Sequence, residues 1–356
     1  MNIIYARMQG YQWISTPSDA VAREMEKQGH KIHIAEAINN IPPGNYDFVW
    51  SPYETSLILG SAISKKFEIP LVSHLEVIPP WRIFPNIDVE NHGLPKDDPE
   101  VQAENLAGTS DYYQKIIEIW KDADIKTLST PVRLPYHEKY FGPLEDVKIR
   151  FPSIDTYMIE RAKQLYTPKK QNNVILTVSR LMPVKRWDIL VEVMNRLKTK
   201  VVWKIVGAGT YESTLKESLT NENVEIQFLG HKWLWAKLYE MLSARLFIFS
   251  TGAMPPMEAA LCGTPAVVME SQGSDHIPEF KDFQKTNFGD ALPIFEYGQF
   301  DEMAAFIDEE MSKEKSTLLE TFDTVKKFNS GRCGVTSSKI NAQQILQRFA
   351  DWTLNV

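Results

Sequence analysis

Short apolar runs alternate with amphipathic stretches along most of the chain. That alternation predicts βαβ units built around parallel sheets. Asn2–Ala6 reads as a first strand, and a helix follows it with clear punctuation. Thr16 is placed to cap that helix, Pro17 stands at its first position and Gly29 ends it. Lys31–Ala35, Phe48–Trp50 and Pro70–His74 read as further strands, and Tyr112–Trp120 returns to helical spacing. A second series opens near Asn173, with strands predicted at Val174–Ser179, Val201–Val206, Val224–Leu229, Leu246–Phe249 and Ala266–Met269. After Lys185, the residues Trp187, Leu190, Val191, Met194 and Leu197 fall on one face of a helix. Between the series, Arg161–Asn173 carries Pro168 and several Lys, Gln and Asn residues, and reads as a linker.

The pattern therefore predicts an α/β protein of two Rossmann-like domains in tandem. The expected boundaries are 1–165 for an N-terminal acceptor-side domain and 166–335 for a C-terminal nucleotide-sugar domain. A final helix within 336–356 is expected to pack back on the first domain. In such sheets ligands bind beyond the carboxyl ends of the strands, so two facing carboxyl edges would form an interdomain cleft.

Length and charge fit this picture and narrow the function. The 356 residues suit two domains. Lys plus Arg total 39 against 46 Asp plus Glu, a net charge of −7, which argues against a nucleic-acid partner. Two cysteines, Cys262 and Cys333, make no disulfide framework or zinc site legible. The first residues lack the features of a signal peptide, and no apolar run reaches the length of a membrane span. A soluble cytoplasmic protein is expected, with peripheral membrane contact left open.

Three segments carry candidate chemistry. In Ser179–Lys185, Arg180 and Lys185 straddle a turn between a strand and a helix, a suitable place for a diphosphate. Gly207-Ala208-Gly209 follows the next strand and permits close approach of a backbone or a ligand. It lacks the third glycine of a dinucleotide fingerprint, which counts against a nicotinamide enzyme. In Ser250–Pro265, a strand end leads through Gly252 into a helix that starts near Pro255 or Pro256 and stops at Gly263. Glu258, one turn inside that helix, is placed to accept hydrogen bonds from a diol. Asp122-Ala123-Asp124 has a metal-binding form but reads as a solvated helix end, and Glu309-Glu310 reads as an exposed helix face. The segment Pro79–Pro99 reads as a long loop, with Trp81, Ile83 and Phe84 packed into it.

Taken in order, these pieces resemble the family-4 glycosyltransferases, retaining enzymes of the GT-B fold. The match runs through Arg180, Lys185, Gly207, Gly209, Gly230, Pro255, Pro256, Glu258, Ala259, Gly263 and Pro265. It continues at Gly273 and Pro278-Glu279, and Arg150–Asp155 resembles the segment that closes the first domain. The resemblance implies that Arg180 and Lys185 hold the leaving diphosphate and that Glu258 binds the ribose. It further implies that Gly252, Ala253 and Met254 face the donor sugar, that His231, Lys232 and Trp233 lie at the base, and that His74 lies near the attacked carbon. Gly10 would sit in a glycine turn near the phosphates. No metal and no cofactor are implied beyond the nucleotide diphosphate-sugar substrate, a UDP- or GDP-sugar. The acceptor stays open among glycan, lipid, protein and small molecule. One departure stands out: Ser250 occupies the position where the family carries a carboxylate against the sugar. A non-catalytic sugar-nucleotide-binding subunit and a sugar-nucleotide epimerase of the same fold therefore remain alternatives.

Overall fold

A computed structural model describes residues 1–7, 17–75, 110–129, 131, 133–150, 152–182, 185–252, 254–271, 283–330 and 333–355. Two compact units result, one formed by Met1–Asp155 with Thr336–Val356 and the other by Thr156–Val335. Among the described residues each is organised by a six-stranded sheet.

The first sheet contains β1 (Asn2–Ala6), β2 (Lys31–Ala35), β3 (Phe48–Ser51), β4 (Leu71–Leu75), β5 (Ile125–Leu128) and β6 (Lys148–Ile149). Their spatial order is β2-β1-β3-β4-β5-β6, and every pairing is parallel. Ile3, Ile4, Tyr5 and Ala6 are all buried, as expected of a central parallel strand covered on both faces. One face is covered by the helix Pro17–Lys27 and by the closing helix Ser338–Thr353, whose Ala342, Ile345, Leu346 and Phe349 join Ile3, Tyr5, Phe48 and Trp50 in one core. The rings of Phe48 and Phe349 are 4.5 Å apart. Ser337 caps the closing helix by accepting a hydrogen bond from the Ile340 amide at 3.3 Å. The short strands β7 (Ser153–Ile154) and β14 (Thr336–Ser337) pair in parallel.

The second sheet is formed by β8 (Gln171–Val178), β9 (Val201–Val206), β10 (Val224–Phe228), β11 (Ala244–Phe249), β12 (Ala266–Met269) and β13 (Ile294–Phe295). It is again all parallel, in the order β10-β9-β8-β11-β12-β13. The direction of winding reverses between β8 and β11, which makes that gap the topological switch point. The helix Trp187–Met194 lies on this sheet, with Trp187, Leu190, Val191 and Met194 buried as the spacing predicts. Trp187 packs against Trp203, whose indole N–H donates to the Thr177 hydroxyl at 3.0 Å.

One reading of a charged pair changes. Glu310 is not on an exposed face; its side chain is buried, while that of Glu309 is exposed. Burial is tolerated because the Ser316 hydroxyl donates to its carboxylate at 2.9 Å and Lys313 forms an ion pair with it. Asp122 and Asp124 are exposed at a helix end, but Asp124 also accepts the Leu71 amide at 2.8 Å and so steadies the start of β4. Thr16, Trp81, Ile83, Phe84, Gly273, Pro278 and Glu279 lie outside the described residues.

Candidate functional site

Because every strand of the second sheet points the same way, all its carboxyl ends emerge on one edge. Arg180 follows β8, Gly207 follows β9, Gly230 and His231 follow β10, Ser250 follows β11 and Glu270 follows β12. Separate sequence segments are thereby gathered along one line.

The loop after β8 is stitched to the loop after β9. The Ser179 amide donates to Val206 O and the Leu181 amide to Ala208 O, both at 3.0 Å, and the Tyr211 amide returns a bond to Leu181 O at 3.0 Å. The Leu181 side chain is fully buried and anchors the loop, while its neighbour Arg180 is exposed. The Trp187 indole donates to Arg180 O at 2.9 Å, tying the loop to the helix that follows. Gly207 and Gly209 serve this contact. A Cβ on Gly207 would lie 1.8 Å from Ser179 O, and one on Gly209 would lie 2.1 Å from Leu181 O. What approaches these glycines closely is protein backbone.

Arg180 and Lys185 then flank the turn that enters the helix Trp187–Met194. Two cations and the amino end of a helix are thus carried on one short segment, which is favourable for a phosphate-bearing ligand. Arg186, with a left-handed φ of 48°, forms the last residue of the turn and pairs with Asp188 at 2.9 Å. Across the switch point, the Ser250 hydroxyl donates to Lys185 O at 3.1 Å, with Arg186 O at 3.3 Å. Ser250 is buried, so its hydroxyl proton is committed to this turn rather than turned outward.

The helix Met254–Leu261 begins four residues after Ser250, one residue ahead of Pro255. Gly252 precedes it, and Ala253 lies outside the described residues. Glu258 is half-buried and forms an ion pair with Lys237 at 2.7 Å. Lys237 belongs to the helix Leu234–Ser243, directly after the exposed Trp233, which meets His231 edge-to-face with ring centroids 5.2 Å apart. Thus Glu258, Lys237 and the His231–Trp233 stretch are brought together, with Lys232 between the two rings in sequence. The Lys237 partnership was not legible in the sequence, where a single Lys in an amphipathic helix carries no signal. Cys262, behind Glu258, has its thiol pushed up to about 12 by burial and then by the Glu258 carboxylate.

His74 is in the first unit, near the end of β4, and is buried. Its Nδ1 lies 2.9 Å from the Thr127 hydroxyl, which itself donates to Ser73 O at 2.7 Å. With the hydroxyl proton used in that bond, Nδ1 is the donor to Thr127. Gly10 lies outside the described residues. Among the described residues no group of three His, Cys, Asp or Glu side chains is arranged to hold a metal ion, and no helix is long and apolar enough to cross a membrane.

Residues 158–282 match the family model described as Glycosyl transferases group 1. The whole chain superposes on solved structures. Anabaena HepE in complex with UDP-glucose aligns with a TM-score of 0.63 and 17% identity, over 99% of this chain and 100% of that one. Sucrose-phosphate synthase from Thermosynechococcus elongatus aligns with a TM-score of 0.67 and 12% identity, over 100% of both chains. The fold is GT-B. Within it, the group 1 match starts inside the helix Thr156–Leu165 and spans the strands β8 to β12, and so covers the loops that carry Arg180, Gly207, His231, Ser250 and Glu258. No curated protein sequence matches the chain.

Proposed function

We propose that this protein is a retaining glycosyltransferase that moves a sugar from a nucleoside diphosphate-sugar to an acceptor hydroxyl. The observation that carries the reading is that Arg180 and Lys185 both lie on the short segment between β8 and the amino end of the helix Trp187–Met194, beside the switch point of the second sheet. Cleavage of the bond between sugar and diphosphate leaves negative charge on the departing oxygen. Fixed cations and helix-end amides stabilise that charge without reorganising, and no metal is required for this. Glu258, held by Lys237, is assigned to the ribose hydroxyls, and His231–Trp233 to the base. Gly252, Ala253 and Met254 are assigned to the donor sugar, and His74 to the attacked carbon. With no nucleophilic carboxylate assigned, substitution proceeds on the face from which the diphosphate leaves. A role in the cytoplasm belongs to the same reading.

HepE is bound to UDP-glucose in its solved structure, which makes UDP the first ligand to try. Thermal shift with UDP, GDP and ADP measures the donor preference, since a ligand at a hundred times its Kd adds about 2.7 kcal/mol of stability. Arg180→Ala and Lys185→Ala should each weaken nucleoside diphosphate binding about tenfold or more, as expected for loss of a charge-assisted contact. Unchanged binding in both variants would refute the diphosphate assignment. The inward-turned Ser250 hydroxyl favours one competing reading, a subunit that binds the nucleotide-sugar without turning it over. Diphosphate release from a panel of nucleotide-sugars separates the two.

A further inference from the structure

Beyond β11 and β12 lies a buried polar cluster that the diphosphate and ribose assignments do not use. Phe249 stands opposite Val268 in the parallel register of the two strands. Two residues further along each segment come Thr251 and Glu270, just past the ends of β11 and β12, with Ser271 next in the chain. Above both strand ends sits the start of the helix Phe283–Phe288. The Gln284 amide donates to Ser250 O at 3.1 Å, and the Lys285 backbone amide donates to the Glu270 carboxylate at 2.6 Å. Thr251, Glu270, Ser271 and Gln284 are each at least nine-tenths buried. Yet among the described residues Thr251 Oγ1, Ser271 Oγ and Gln284 Oε1 have no hydrogen-bond partner. Buried polar atoms are rarely left so, and three in one place call for a ligand or ordered water.

The chemistry of the cluster narrows the ligand. A carboxylate and an amide oxygen only accept hydrogen bonds, and two hydroxyls can do so. The matching ligand presents several donors and no negative charge, which describes the hydroxyl-bearing face of a sugar ring. Its position fits too. Ser250, the residue before Thr251, is bonded to the carbonyls of Lys185 and Arg186 in the diphosphate turn. The cluster therefore begins at the residue next to the one that touches that turn.

Resting on the glycosyltransferase reading, we infer that Glu270, with Thr251, Ser271 and Gln284, binds the hydroxyls of the transferred sugar and sets which sugar is accepted. The carboxylate missing at Ser250 is thereby supplied from the neighbouring strand. Glu270 accepts from two adjacent ring hydroxyls, and the uncharged oxygens read the remaining ones.

The test compares each nucleoside diphosphate with its sugar conjugate by calorimetric titration: UDP with UDP-glucose, GDP with GDP-mannose, and ADP with ADP-glucose. The pair that binds the wild-type protein is then titrated into Glu270→Gln and Thr251→Val. Both variants should keep the nucleoside diphosphate Kd within about twofold. The conjugate should weaken about tenfold in Glu270→Gln and about fivefold in Thr251→Val, the range for losing a hydrogen bond to a charged and to a neutral partner. Thr251→Val preserves shape and decides the matter alone if Glu270→Gln does not fold. Normal nucleoside diphosphate binding with an unchanged ratio to the conjugate in the folded variants overturns the sugar assignment and leaves the diphosphate site standing. Equal losses for both ligands overturn it as well. Failure of the wild-type protein to bind any nucleoside diphosphate overturns the functional reading, and the sugar assignment with it.

Discussion

Adding one methyl group at Gly207 tests the stitched loops most directly. In Gly207→Ala the new Cβ would lie 1.8 Å from Ser179 O, where ordinary contact begins near 3.4 Å. The carbonyl must therefore retreat by about 1.6 Å, and nothing nearby is a flexible side chain that can absorb the change. Movement on that scale strains the bonds from Ser179 to Val206 and from Leu181 to Ala208. Two backbone hydrogen bonds contribute about 1 kcal/mol each, and overpacking adds about 1–3 kcal/mol. A loss of about 3–5 kcal/mol should lower the melting temperature of a unit this size by roughly 10 °C. Arg180 moves with the loop, and a displacement near 1 Å in a positioning element costs about a hundredfold in catalysis. Gly230→Ala is the control. It also adds a Cβ at a strand end of the same edge, but nothing lies within 4 Å of it and φ is +66°. Its cost is only the left-handed backbone, about 1–2 kcal/mol. Differential scanning calorimetry and nucleoside diphosphate titration read both effects. If Gly207→Ala melts and binds like Gly230→Ala, the close approach does not hold the Arg180 loop and the reasoning fails.

Phe349→Ala should destabilise the first unit by about 3–5 kcal/mol, because the ring fills the core against Phe48 and Trp352; chemical denaturation measures it, and a loss under 1 kcal/mol would mean the closing helix is not part of that core. The two thiols should resist iodoacetamide at pH 8 in the native protein and react when it is unfolded. Burial pushes Cys262 up to about 12 and Cys333 up to about 11, so little thiolate exists in the fold. The sign of the accompanying pH effect follows. The unfolded thiols ionise near 9, so stability is unaffected below that value and falls as pH rises through about 9 to 12. Replacing both with Ala should remove that part of the alkaline loss, and an identical pH profile in the double variant would contradict the buried-thiol account.

The strands of both sheets were most legible where four apolar residues run together, as in Asn2–Ala6 and Leu246–Phe249, because burial on both faces demands such runs. Ile125–Leu128 escaped notice because Lys126 and Thr127 interrupt it, and β6, β13 and β14 are two residues long. At the site, spacing alone marked Arg180 and Lys185. It did not mark Lys237, which meets Glu258 only through the fold, nor Thr251, Ser271 and Gln284, whose polarity says nothing of burial until neighbouring strand ends are known. The purpose of Gly207 and Gly209 was half legible. Sequence showed that something approaches closely, and only the structure showed that it is the Arg180 loop. Glu310 was misread because helical spacing cannot reveal Ser316, which follows in the next turn of chain and satisfies it.

The return of the closing helix has a consequence for how the protein is made. Residues Thr156–Val335 form an uninterrupted unit, whereas the first unit is split between Met1–Asp155 and Thr336–Val356. On the ribosome, the second unit is fully synthesised while the first still lacks the helix that covers Ile3, Tyr5, Phe48 and Trp50. The second unit is therefore free to fold first, and the first waits with an apolar sheet face uncovered until Thr336–Val356 emerges. Bridging so many residues adds little entropic cost, since loop closure grows only logarithmically with length. The exposure lies in time: a pause in translation between Asp155 and Thr336 would prolong the interval in which that face is open to aggregation or to a chaperone.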